Sequence, residues 1–431
     1  METAKEETKK SFSSFLINNW WLWLLVVAFI IFLIVLVLFF NNTYNQERSN
    51  VPTITDIVTE PFESSNNDPE LQAAIDAGKM LSGNNCEGTG PITIGTSPMK
   101  PEDFSILIPY GLMIGGHVTP IDHQYFEPAD RSLGKDSYEV LAIADGTITE
   151  IGSRDSFQGG EEYRMVFTYT CTFFSYFDLV TSLSPEIKEE YDRKKGNGGY
   201  AGGLDIDVKE GQVIGRIGGQ TLDYAVWDTE KPLTGFIVPE HYEREFWKIY
   251  TADPFDYYTE ELKTFLLSRS IRSVEPIAGK IDYDIDGKLI GNWFVEGTKG
   301  YEGILPDYYS SHLSIVPEHI DPETIIVSIG DFDGEPFQAA VKGNSPDPAK
   351  VDMGTGLVKY QLIEYSYVEP DGSFWDRMSL VKGLKIVEGQ QTKGIILLEM
   401  IGDRRLKVET FPNKTAAQVT GFTSGAEIYE R

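Results

Sequence analysis

Residues 139–152 read EVLAIADGTITEIG. Apolar residues alternate on either side of Asp145-Gly146. A period of two interrupted by that dipeptide predicts a β-hairpin. The alternation continues outward. YRMVFTYTCTFFSYFDLV (163–180) is long enough for two strands, and VKEGQVIGRIGG (208–219) and TLDYAVWD (221–228) extend the pattern.

Helical signals are sparser. Asp68-Pro69-Glu70 supplies a cap, a first-turn proline and an acidic group at the positive end of the helix dipole. Leu71, Ala74, Ile75 and Leu81 form a short apolar stripe, and Gly83 stops it. SPEIKEEYDRKKGNGGYAGG (184–203) reads as a charged helix followed by a glycine-rich loop. FDYYTEELKTFLLSRS (255–270) reads as a helix with Leu262, Phe265 and Leu266 on one face.

From residue 276 the β pattern resumes. Asp286-Gly287, Asp333-Gly334 and Asp371-Gly372 punctuate runs such as GLVKYQLIEYSYV (356–368) and KGIILLEMIG (393–402). This block has the length of one all-β domain, a barrel or a sandwich. LLSRSIRS (266–273) suits an exposed boundary before it, so 276–431 is expected to fold alone.

At the amino end, Trp20–Phe40 is an unbroken apolar run of 21 residues, enough to cross a bilayer core as a helix. Trp20, Trp21 and Trp23 stand at its entry. Lys5, Lys9 and Lys10 precede it, which places the amino terminus in the cytoplasm. The run ends in Phe39-Phe40-Asn41-Asn42, without the small residues of a signal-peptidase site. The expected organisation is therefore a cytoplasmic tail (1–18), a transmembrane helix (19–40) and a polar linker (41–67). Two extracytoplasmic β domains follow, at 68–275 and 276–431.

The formal charge is −29, and no basic stripe offsets it beyond the first ten residues. A nucleic-acid partner is excluded, because phosphate binding needs clustered Lys and Arg. Cys86 and Cys171 are the only cysteines. Outside the membrane they can pair as a disulfide or stay as separate buried thiols; spacing does not choose.

The order of motifs in 105–228 resembles the lysostaphin-like zinc metallopeptidases, whose catalytic domain is a duplicated hybrid β fold. HVTPID (His117, Asp122), VLAIADGTI (140–148), YFDL (176–179) and VKEGQVIGRIGG (208–219) fall in the family's order. The resemblance implies His117 and Asp122 as zinc ligands. Its other functional positions depart from the pattern: Asp178 stands where a histidine belongs, and Asp223 and Ala225 replace the two histidines of a His-x-His. Alanine supplies no ligand, and an exposed carboxylate is too weak a base for peptide hydrolysis. No residue is therefore assigned a catalytic role. The reading that follows is a membrane-anchored binding or scaffolding protein of the cell envelope, without a resident cofactor. Its partner would be an envelope glycan, a peptide or a surface-layer protein. A zinc-dependent hydrolase with substituted ligands is the alternative. The acidic, anchored pattern as a whole resembles uncharacterised surface proteins of archaea.

Four smaller signals remain. His123 adjoins Asp122, but neighbours on a strand face opposite ways, so the favoured reading of IGGHVTPIDHQYF (114–126) is a glycine-permitted polar turn. DYDIDG (282–287) opens like a calcium loop, yet Trp293 stands where the closing Glu belongs, which favours a turn. Gly291-Asn292-Trp293 resembles the Gly-x-Trp of lipocalins, in which Trp closes one end of a barrel. Arg404, Arg405 or Arg431 would then stack on Trp293. SYVEPDGSFWDR (366–377) and FEPADRS (126–132) mix aromatics with carboxylates, as glycan-binding loops do.

Overall fold

The computed structural model describes residues 68–304 and 307–431. The expected tail, transmembrane helix and linker, residues 1–67, lie outside these. Among the described residues no helix is long and apolar enough to cross a membrane.

The chain enters through α1 (Pro69–Ser82), capped by the Asp68 side chain at Glu70 N and closed by Gly83 at φ 75°. Both ends lie where the capping residues predict. Its Gly78 packs against the carbonyl of Cys171, where a Cβ would collide at 1.9 Å. Cys86, just beyond the helix, is disulfide-bonded to Cys171.

Twelve strands follow: β1 (Phe104–Ile108), β2 (Gln124–Pro128), β3 (Tyr138–Leu141), β4 (Gly146–Asp155), β5 (Glu161–Thr168), β6 (Phe173–Val180), β7 (Ser182–Leu183), β8 (Tyr200–Ala201), β9 (Ile206–Val208), β10 (Val213–Ile217), β11 (Leu222–Asp228) and β12 (Thr251–Ala252). The larger sheet runs β1-β2-β11-β6-β5-β4-β8, with β12 on β11 and β9 on β4; a smaller one runs β3-β10-β7. One apolar cluster draws on both, from Val140 and Ile214 to Phe167 and Phe177. The 163–180 stretch forms β5 and β6, joined by a turn that carries Cys171.

The Asp145-Gly146 hairpin does not form. β3 pairs with β10 and β4 pairs with β5, so the chain changes sheets at this point. Ala142, Ile143 and Ala144 are buried in the crossing. Gly146 does not take the positive φ that such a turn requires. Its glycine serves close packing instead, since a Cβ would lie 2.8 Å from the Tyr169 ring. Asp145 accepts from Glu210 N and Lys209 Nζ, so its partners are on the β9–β10 turn.

Helix α2 (Pro185–Lys194) is the charged insertion, and α3 (Glu260–Arg269) buries Leu262 and Leu266. Between them Pro239–Tyr250 makes 3-10 turns broken at Glu245.

Eight more strands form the second lobe: β13 (Gly291–Val295), β14 (His312–Pro317), β15 (Ile325–Ile329), β16 (Phe337–Val341), β17 (Val358–Val368), β18 (Lys385–Gly402), β19 (Arg405–Pro412) and β20 (Glu427–Glu430). Each pairs antiparallel with the next, and β20 pairs back onto β13, so the sheet closes into a barrel. Ile396, Leu398 and Met400 of β18 point into its core, while Ile395 and Leu397 pack outward under Val419. That is the period of two expected of a strand. At one end Trp293 is fully buried and donates Nε1–H to Leu289 O at 2.8 Å. Arg431 lies over its ring, 3.9 Å from the centroid. Arg404 and Arg405 pair instead with Asp286 and Glu296.

Residues 68–431 are one compact unit. The 275/276 line separates the sheets from the barrel, but apolar clusters cross it. Ile106 and Ile271 pack with Ile320, Tyr367 and Trp375, and Met113 packs with Val316 and Ile363. The stretch read as an exposed boundary is partly buried: Ser270, Ile271 and Arg272 are each at most 3% exposed. Arg272 donates to carbonyls of Val274, Pro276 and, in the barrel lobe, His319.

Candidate functional site

Where β2, β6 and β11 adjoin, they carry a row of charged side chains on a largely apolar sheet. The chain reaches it through a tight turn in which Ile114 N donates to His117 O and His117 N to Ile114 O. Gly115 takes φ 53°, and Gly116 lies against the Tyr309 ring, where a Cβ would sit at 3.1 Å. The glycines thus have the backbone role expected of them. His117 stands at the mouth of the pocket. Its ring meets solvent, yet crowding by the walls, followed by the charges of His123 and Lys248, pulls its pKa down.

Asp122 and His123 precede β2, where strand alternation does not apply, and both side chains are buried. The opposite-faces expectation is therefore corrected. Lys248 Nζ donates to Asp122 Oδ1 at 3.1 Å, and His123 Nδ1 lies 3.4 Å from the same oxygen. His123 Nε2 is 3.1 Å from Asp223 Oδ2. Burial would lower the His123 pKa, but Asp223 and Asp122 outweigh it and hold the ring up at about 9. Burial would raise Asp122, but Lys248 and then His123 outweigh it and hold the carboxyl far below its usual range. Burial raises Asp223 against the pull of His123.

Asp223 and Asp178 face each other across β11 and β6. Like charges in that position repel, so each needs its own cation. His123 serves Asp223. Arg154 serves Asp178 at 2.9 Å and also binds Glu162, while Tyr176 donates to Asp178 at 2.9 Å. Ala225 is buried on β11, opposite Tyr176, and offers no polar atom. Asp205 lies apart, exposed and bonded to Asn85.

His117, Asp122, His123, Glu245, Lys248 and Tyr301 line a pocket of about 100 Å³. The barrel lobe supplies Tyr301, whose hydroxyl bonds Thr119 at 3.0 Å, and Tyr308. The sequence left open which of Asp178, Asp205 and Asp223 approaches His117 and Asp122, and it gave no sign of Lys248, Glu245 and Tyr301. PEHYEREFWKIY (239–250) has no motif that marks Lys248.

The donor set does not suit zinc. Lys248 sits on Asp122 Oδ1, and both ring nitrogens of His123 face carboxylates, Asp122 and Asp223. Among the described residues no group of three or more His, Cys, Asp or Glu converges as a cation site. Asp282, Asp284 and Asp286 also diverge, toward Lys280, Arg431 and Arg404. Of the two aromatic loops, Phe126 is in the core and Trp375 packs on Tyr367, while Phe374 is exposed.

No family model matches the chain, and no curated protein matches it. Among solved structures, the chain is similar to the antimicrobial peptidase lysostaphin from Staphylococcus simulans at 11% identity and a TM-score of 0.22, over 76% of this chain and 91% of that one. It is also similar to a solution structure of lysostaphin at 10% identity and a TM-score of 0.24, over 79% and 92%.

Proposed function

We propose that the chain is a membrane-anchored, extracytoplasmic binding or scaffolding protein of the cell envelope that does not hydrolyse peptide bonds. The observation that carries this reading is the buried Asp122–Lys248 ion pair. It places a fixed positive charge against the one carboxylate that a zinc site here would need. Water activation requires an open metal position with at least three protein ligands, and here both ring nitrogens of His123 face carboxylates while Ala225 offers none. A single apolar run at 20–40 supports the anchor, and the Cys86–Cys171 disulfide supports an oxidising compartment.

Elemental analysis of the dialysed full chain, with a peptide-hydrolysis assay beside it, tests the proposal. The expected result is no stoichiometric zinc and no cleavage. One zinc per chain, lost in His117→Ala and Asp122→Ala, would establish the hydrolase with substituted ligands instead. Protease added to intact cells should remove the bulk of the protein. A mature chain beginning near Asn41 would rule out the anchor.

A further inference from the structure

Beside the charged pocket lies a second cleft of about 260 Å³, open to solvent and sharing Arg164 and Trp247 with the first. We infer that this cleft binds one pyranose ring of a neutral glycan. Trp227 is buried in one wall of the cleft, with the Trp247 ring 6.1 Å away and tilted by 32°. Phe246 and the exposed Tyr200 complete the aromatic surround. Gly152 leaves one side open: a Cβ there would meet nothing within 4 Å.

Two charged groups enter this apolar space. Arg164 lies over the rings of Tyr176 and Trp247, 4.6 and 4.7 Å from their centroids. Glu150 is half-buried on β4 and lines the cleft together with Tyr200. The pair has no net charge, and each sign repels a like-charged ligand. An ammonium ligand, the usual guest of an aromatic cage, meets a guanidinium already on the Trp247 face. A purely apolar side chain would leave the carboxyl and guanidinium desolvated without new partners. A pyranose meets both demands. Its C–H face lies on the Tyr200 and Phe246 rings, which carry no guanidinium, and its hydroxyls donate to Glu150 and accept from Arg164. The volume is just below the roughly 300–1,000 Å³ of drug-sized pockets, which is room for a single ring.

The proposal deepens the binding reading above, and its test is separate from that of zinc. Tryptophan fluorescence and saturation-transfer NMR on the full chain would be followed during titration with neutral trisaccharides of glucose, mannose, galactose and N-acetylglucosamine. Tetramethylammonium and N-acetyl-leucinamide serve as the competing chemistries. At least one trisaccharide should bind saturably, and Trp247→Ala should weaken it about tenfold or more. Gly152→Leu fills the open side without removing a wall and should abolish binding at an unchanged Tm. Binding by none of the sugars, binding indifferent to Gly152→Leu, or preference for either competitor would overturn the assignment. Zinc in the chain would remove the non-hydrolytic reading and leave the sugar result to be judged alone.

Discussion

Lys248 Nζ lies 3.1 Å from Asp122 Oδ1, and the two residues are 4% and 7% exposed. They are 126 positions apart in the chain, and the pair fixes the 3-10 segment against the mouth of β2. Two buried charges stabilise a fold only as a pair. Loss of one leaves the other desolvated.

Lys248→Met should therefore destabilise the protein by roughly 3–5 kcal/mol. The double variant Lys248→Met/Asp122→Leu should recover most of that loss, because both charges are gone. Urea denaturation of the wild type and the two variants measures it. A double variant as unstable as the single one would mean that packing, not charge, holds the segment.

His123 sets an alkaline limit. Its folded pKa of about 9 lies above the unfolded value of ~6.5. Its contribution is thus complete below ~6.5 and is lost as pH rises through 9, on the order of 3 kcal/mol in all. Tm should fall between about pH 7 and pH 9.5. In His123→Gln the fall should be much shallower, starting from a lower plateau. Parallel profiles would show that His123 is not charged in the fold.

Arg431 closes the barrel. Its guanidinium donates to the carbonyls of Ile285, Lys288, Ile290 and Asn292 and covers Trp293. Arg431→Ala leaves these buried carbonyls without partners and should cost roughly 3–5 kcal/mol. Lysine should rescue little, since it lacks the planar fork. Arg404→Ala removes only an exposed pair with Asp286 and should cost less than about 1 kcal/mol. Thermal melts of the three variants give the order.

Separation of the lobes is the fourth test. Residues 276–431 alone would expose Val316, Ile320 and Phe294, all buried against the first lobe. The isolated segment should bind a hydrophobic dye and lack the sharp transition of residues 68–431. One cooperative transition without dye binding would mean that the barrel is self-sufficient and the shared clusters are only a contact.

Local patterns were legible in the sequence because they depend on neighbours. Asp68 and Gly83 bound α1 through backbone groups a few positions away, and the alternation of 163–180 places β5 and β6 on a half-buried surface. Asp145-Gly146 shows where such reasoning stops. The dipeptide permits a turn, but the chain instead changes sheets there, because Asp145 finds its donors at Lys209 and Glu210. The choice among three arginines for Trp293 was equally open. Only closure of β20 onto β13 brings Arg431, and not Arg404 or Arg405, over the ring. The site follows the same rule. His117, Asp122 and Asp223 could be named from motif order, but the ammonium that neutralises Asp122 comes from a segment with no motif of its own. Periodicity and capping act within a few residues. Burying a charge selects a partner from anywhere in the chain, and only the path of the folded backbone determines which one is within reach.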